Sequence, residues 1–342
     1  MDRSHIQDRW DQWSRLMQPL RAWFELCRLP SSLLPAADPL AGALIAGARW
    51  RHIPWIVLLM FGTVLLHAGA RALNDFNDFK CDRKEFPNRP IVSGRVGRWT
   101  ALLVAIVLIV LGWAVTSLPG RTSQQIAIAM VCCIPLSEFL MKGIPIAKTL
   151  PSVSRALGLF LGMSLVPWSL PPGVVATNPS MADLSFRLYF CATLGVYVLG
   201  VTILAYRIND AERVAFVLGG AIMTAVSVAM LAMTQLFFDQ AVRGSAVIWI
   251  VPLLAVAGVP IALAILWPSE AASQRAAWRA ALGVCILETA MVTFVRGPWW
   301  GLPVIVVLGP VIYARYWLDE DAITSTQTGT TATATASTST ST

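Results

Sequence analysis

Residues 71–95 read RALNDFNDFKCDRKEFPNRPIVSGR, and they follow directly on an apolar run that begins near His52. The stretch carries Asn74, Asp75, Asp78 and Asp82, with Glu85 close behind. On a helix turning about 100° per residue, Asp78 lies about 40° from Asn74, Asp82 about 80° and Asp75 about 100°. Four oxygen-bearing heads therefore share about a quarter of the helix circumference, with Arg71 on the same side. Like charges one turn apart destabilise a helix slightly, so the cluster asks for something positive between the carboxylates. Hard oxygen donors in an open arrangement suit Mg²⁺, which keeps waters and bridges to substrate phosphates. The plain alternative is a solvated acidic cap where a membrane helix reaches water. Against it stand Lys80, Arg83, Lys84, Arg89, Arg95 and Arg98, crowded around the acids. Carboxylates for a metal and bases for phosphate in one segment fit a diphosphate site.

The rest of the chain is apolar. It has 342 residues, 56% hydrophobic and only 13% charged, with a mean hydropathy of +0.64. A soluble domain carries about a quarter charged residues, so the composition indicates an integral membrane protein. Residues 1–29 are charged and amphipathic, with Trp10, Trp13 and Trp23 among arginines and no apolar signal-type core. They read as a cytoplasmic, partly interfacial segment. The net charge of +7 is what the positive-inside rule produces and calls for no nucleic acid. The six cysteines show no metal-ligand spacing, and free buried thiols are expected.

Apolar runs cover residues 32–48, 53–73, 101–118, 124–140, 153–170, 188–205, 214–238, 246–267, 277–295 and 299–317. Each is close to the ~20 residues that a bilayer requires. The last two are separated only by Arg-Gly-Pro and read as a re-entrant pair or two tight spans. Lys and Arg concentrate in the N-terminus and in the connections after the second, fourth, sixth and eighth runs. That places the N-terminus and the acidic loops on the cytoplasmic side, in the inner membrane of a cell that has one. The expected fold is all-α, a polytopic transmembrane bundle of nine to ten spans around a central cavity, over residues 30–318. The Thr/Ser/Ala-rich tail, 319–342, is expected to be disordered.

Other polar residues mark this bundle. Asp38 lies inside the first run between Pro35 and Pro39; it is a functional candidate or an interfacial residue satisfying loosened backbone. His67 lies seven residues before Asn74, on nearly the same face, and reads as a hydrogen-bonded structural histidine or a site residue. Residues 137–158, SEFLMKGIPIAKTLPSVSRALG, offer Lys142 and Lys148, which serve as topological signals or phosphate contacts. They also offer Arg155, whose guanidinium at the start of an apolar run needs an anionic partner. Residues 205–213, AYRINDAER, put Tyr206, Asp210 and Arg213 on one face, flanked by Asn209 and Glu212.

NDFNDFKCD, residues 74–82, resembles the first aspartate-rich motif, N-D-x-x-D-x-x-x-D, of the UbiA superfamily of intramembrane prenyltransferases. NRPIVSGRV, residues 88–96, is similar to that family's N-R-P-hydrophobic-x-S/G stretch, and the position after the second run agrees. The resemblance covers about residues 25–318. It implies a helical bundle, usually of nine spans, whose cavity opens laterally to the membrane. In it an isoprenyl diphosphate binds with Mg²⁺ at two acidic motifs. Carried over, Asn74, Asp78 and Asp82 hold Mg²⁺, with Asp75 assisting, and Arg71, Lys142 and Arg155 contact phosphate. The family's second motif, of the type D-x-x-x-D, is reduced here to YRINDAER. Asp210 remains for a second metal, helped by Asn209 or Glu212, and the catalytic set is Asp78, Asp82 and Asp210.

The expected function is transfer of an isoprenyl group from a prenyl diphosphate to a small aromatic or lipid-like acceptor. The competing reading is a non-catalytic or transport protein binding a lipid-like metabolite on the same fold. A third is an ion-coupled transporter using Asp38 and Glu288.

Overall fold

The computed structural model describes residues 20–136, 149–167, 183–206, 210–238 and 247–318, and every regular element among them is helical. Helix α1 (Leu29–Ile45) contains a 3₁₀ turn at Leu34–Ala36, where Pro35 removes a backbone donor. A second 3₁₀ turn, Trp50–His52, leads into α2 (Ile53–Asn77) and the short α3 (Phe79–Glu85). Then come α4 (Arg98–Ser117), α5 (Arg121–Pro135), α6 (Leu150–Met163) and α7 (Leu184–Leu204). The last four are α8 (Asp210–Phe237), α9 (Ile248–Leu266), α10 (Glu270–Arg296) and α11 (Pro298–Leu318).

Seven of these, α2, α4, α7, α8, α9, α10 and α11, are long and apolar enough to cross a membrane. The nine to ten spans expected are not confirmed among the described residues, in which α1, α5 and α6 fall short of spanning length. With 14 residues, α6 rises about 21 Å, less than the ~30 Å hydrocarbon core. The ends of the apolar runs 124–140 and 153–170 fall outside the described residues. The Arg-Gly-Pro link resolves into two full helices turned at Gly297, whose φ of 97° suits a residue without Cβ. The outer face of α4 exposes Leu103, Ile106, Val107, Val110 and Leu111, and Trp50, Trp99, Trp267 and Trp299 stand exposed at helix ends. An apolar belt edged by tryptophan is the signature of a bilayer-embedded surface. The protein is an integral membrane protein.

Neighbouring helices pack in a ring that closes where α11 meets α1, and α10 also packs across it on α1 and α7. Lipid is as apolar as leucine, so helices in a membrane associate through close packing of small residues. The α1–α6 contact shows this. A Cβ on Gly42 would lie 1.9 Å from the Leu159 carbonyl oxygen, and one on Gly162 would lie 2.0 Å from that of Pro39. The carbonyls at the end of α6 are met by the fully buried Arg187 of α7. Its Nη1 donates to Met163 O at 2.7 Å and to Val166 O at 2.8 Å, satisfying acceptors that a helix end leaves open.

One end of the bundle collects the charged segments. Phe76 of α2 meets Trp99 of α4 with ring centroids 5.7 Å apart. Arg21 donates to Leu318 O at 2.8 Å, and Gln274 of α10 donates to Ala205 O, just past α7, at 3.4 Å. The end of α2, residues 20–27 and the end of α7 therefore lie at the same end. Residues 20–27 are packed there, with Ala22 and Leu26 buried against Ala72 and Leu73.

Candidate active site

The acidic segment is not one continuous helix. Asp78 ends α2 with φ −82° and ψ 2°, and α3 begins at the next residue. The break sorts the four polar heads into two groups. Asn74 Nδ2 donates to Asp78 Oδ2 at 3.1 Å, and both residues are half-buried. Asp75 is buried on the other side, where Oδ1 accepts from Arg28 Nη2 at 2.6 Å and from Arg89 Nη1 at 3.3 Å. Asp82 is also buried and accepts a short hydrogen bond from Arg89. Burial raises the Asp82 carboxyl above the usual carboxylate range, and the Arg89 guanidinium opposes that shift.

The expectation from sequence puts Asn74, Asp78 and Asp82 on Mg²⁺ with Asp75 assisting; the structure holds Asp75 and Asp82 with two arginines. Sequence reasoning missed the part played by Arg28 and Arg89. Arg28 has the one positive φ, 45°, among the described non-glycine residues. Such a backbone is uncommon, and it lets the N-terminal segment reach Asp75 as the chain enters α1.

Asn74, of the other group, borders a cavity of about 70 Å³ between α2, α5 and α6. His67, Arg71 and Asn74 line it from α2, Met130 and Ile134 from α5, and Leu150 and Ser154 from α6. The spacing of four and three residues makes the α2 side a polar stripe, continued by Asp78 one turn on. His67 Nε2 is sealed from solvent without a hydrogen-bond partner among the described residues.

Arg155 lies deeper in the bundle. Its Nε donates to Asp38 Oδ2 at 2.5 Å and its Nη2 to Asp38 Oδ1 at 2.6 Å. This fork matches a carboxylate and satisfies the guanidinium. Glu288 of α10 is wholly buried beside the pair, its carboxyl group against that of Asp38. Gly158, one turn after Arg155, makes room: a Cβ there would lie 3.0 Å from Asp38 Oδ2. Arg155 was expected to contact phosphate, but the Nε–Nη2 edge of its guanidinium is engaged by Asp38.

The model of the UbiA prenyltransferase family matches residues 39–279. The chain belongs to this family. It is 28% identical over 149 residues to the digeranylgeranylglyceryl phosphate synthase of Methanothrix thermoacetophila, a match covering 43% of this chain and 55% of that protein. It is 28% identical over 161 residues to the 4-hydroxybenzoate octaprenyltransferase of Janthinobacterium sp., covering 45% of this chain and 56% of that protein. The chain thus spans about half the length of these two relatives. Its fold is similar to that of a UbiA homologue from Aeropyrum pernix, with a TM-score of 0.59 at 14% identity over 77% of this chain and 97% of that one.

The second acidic segment of this UbiA member is only partly described. Asp210 opens α8, at the bundle end that also carries Asp78. Tyr206 stacks on Phe216 with ring centroids 5.6 Å apart, and Glu212 is exposed. Lys142 and Asn209 lie outside the described residues, as does the side chain of Asp210.

No three His, Cys, Asp or Glu side chains converge as metal ligands among the described residues. Asn74 and Asp78 nevertheless place an amide and a carboxylate side by side, the amide at the cavity. One or two such oxygen donors suffice for Mg²⁺ when substrate phosphates and water complete its shell, so the residues present fit that ion.

Proposed function

We propose that this UbiA member transfers an isoprenyl group from a prenyl diphosphate to a small aromatic or lipid-like acceptor. The observation that carries the reading is the hydrogen-bonded Asn74–Asp78 pair, whose Asn74 lines a cavity together with Arg71 and His67. Asn74 and Asp78 would hold Mg²⁺, which supplies positive charge against the departing diphosphate, and Asp82 and Asp210 remain candidates to assist. Arg71 and Lys142 orient the phosphates. Met130, Ile134 and Leu150 wall the cavity with apolar surface, which keeps water from an allylic carbon as it loses its leaving group. The Lys/Arg distribution supports a cytoplasmic acidic end, so the water-soluble diphosphate group would enter from that side.

The test is turnover by the purified protein in detergent. Geranylgeranyl diphosphate and Mg²⁺ are supplied with candidate acceptors, and diphosphate release and prenylated product are followed by mass spectrometry. Acceptor-dependent release supports transfer.

The second reading is a bundle that binds a lipid-like metabolite without turnover. The arginines seated on Asp75 and Asp82 favour it. Tight binding of prenyl diphosphate with no release under any acceptor would favour that reading.

A further inference from the structure

His67 is the one residue of the α2 polar stripe that neither metal nor diphosphate chemistry uses. From His67 to Asn74 is seven residues, about 10 Å of helix rise, so the imidazole lies that much further along α2 toward the membrane interior than Asn74. Its Nε2 is buried and unpartnered among the described residues, although the side chain lines the cavity. A buried polar atom without a partner is costly and unusual in a native structure. The charged groups that act on this ring are Arg155 and Arg71. Asp38 takes up the first, and the second lines the same cavity. Opposite His67 the wall is Met130 and Ile134, with Ser154 beside them. A molecule entering there meets the imidazole and the Ser154 hydroxyl between apolar walls.

We infer that His67 is an acceptor-binding residue: its Nε2 hydrogen-bonds the hydroxyl of a hydroxyl-bearing, otherwise apolar acceptor and so sets which acceptor atom faces the prenyl C1. A hydroxyl both donates and accepts, so it satisfies either tautomer of the ring. Phenols and lipid alcohols share this chemistry. The inference rests on the transferase reading above and names the substrate class of that site.

The experiment uses the full-length protein in detergent with geranylgeranyl diphosphate and Mg²⁺. One arm supplies 4-hydroxybenzoate and the other geranylgeranylglyceryl phosphate, which separates a phenol from a lipid alcohol. Wild type, His67→Leu and His67→Gln are compared. In the arm that turns over, His67→Leu raises the acceptor KM about tenfold, the scale of one hydrogen bond. The conservative His67→Gln recovers part of it, and the Kd for geranylgeranyl diphosphate stays unchanged in all three. An unchanged KM in His67→Leu, or a Gln variant no better than Leu, overturns the assignment. So does a wild type that binds the diphosphate and uses neither hydroxyl acceptor. A wild type that binds no prenyl diphosphate fails earlier, at the transferase reading, and takes this assignment with it.

Discussion

Asp38 and Arg155 stand 117 residues apart in the chain and are joined by two buried hydrogen bonds of 2.5 and 2.6 Å. The pair ties α1 to α6 at the middle of the bundle, with Glu288 of α10 against it. Removing one partner of a buried pair leaves an uncompensated charge, which costs about 3–5 kcal/mol. Arg155→Leu is expected to lower stability by that amount in thermal unfolding in detergent. The double variant Asp38→Leu with Arg155→Leu should recover much of the loss. A residue that served only to contact diphosphate would show no such coupling to Asp38.

Backbone contact between α1 and α6 sets how Asp38 meets Arg155. Gly42→Ala and Gly162→Ala each push a methyl group into a carbonyl oxygen. Overpacking of this kind costs about 1–3 kcal/mol, read as a fall in the unfolding midpoint. Gly309→Ala is the control, because a Cβ there meets nothing within 4 Å.

Helix α7 begins with a side-chain cap. Asp183 Oδ1 accepts from Ser185 N at 2.9 Å and Oδ2 from Ser185 Oγ at 2.6 Å. These bonds hold its carboxyl below the usual carboxylate range. A depressed acid stabilises the fold above its unfolded-state pKa, and that contribution is lost as pH falls through the folded-state pKa. Asp183→Ala should therefore unfold earlier than wild type at neutral pH and converge with it in acid. Asp183→Asn should keep a cap, since asparagine caps well, and show less of the acid-dependent change. Unfolding curves at several pH values check both.

Much of the fold is legible because apolar runs and helix breakers act locally. The runs 53–73 and 101–118 become α2 and α4, and Pro35 produces the turn at Leu34–Ala36. The span count was less legible, since a run of suitable composition need not form a helix of spanning length, as α6 shows. The site divides the same way. The polar stripe of α2 follows from helical spacing alone. The break at Asp78 and the capture of Asp75 and Asp82 depend on Arg28 and Arg89, which arrive from another segment and a following turn. Arg155 called for an anion and Asp38 stood out inside a span, but their pairing is tertiary. Gly158 and Gly162, flanking the contact one turn apart, were the sequence signal that α6 approaches another backbone closely.

The decisive measurement is geranylgeranyl diphosphate binding to the purified wild type and to Asp78→Asn, each with Mg²⁺ and with the metal chelated. The Asn74–Asp78 site predicts tight binding by the wild type that is lost on chelation and lost in Asp78→Asn, while the variant's unfolding midpoint stays near that of the wild type. Equal binding by the variant, or binding indifferent to Mg²⁺, would contradict a metal-assisted diphosphate site at the end of α2.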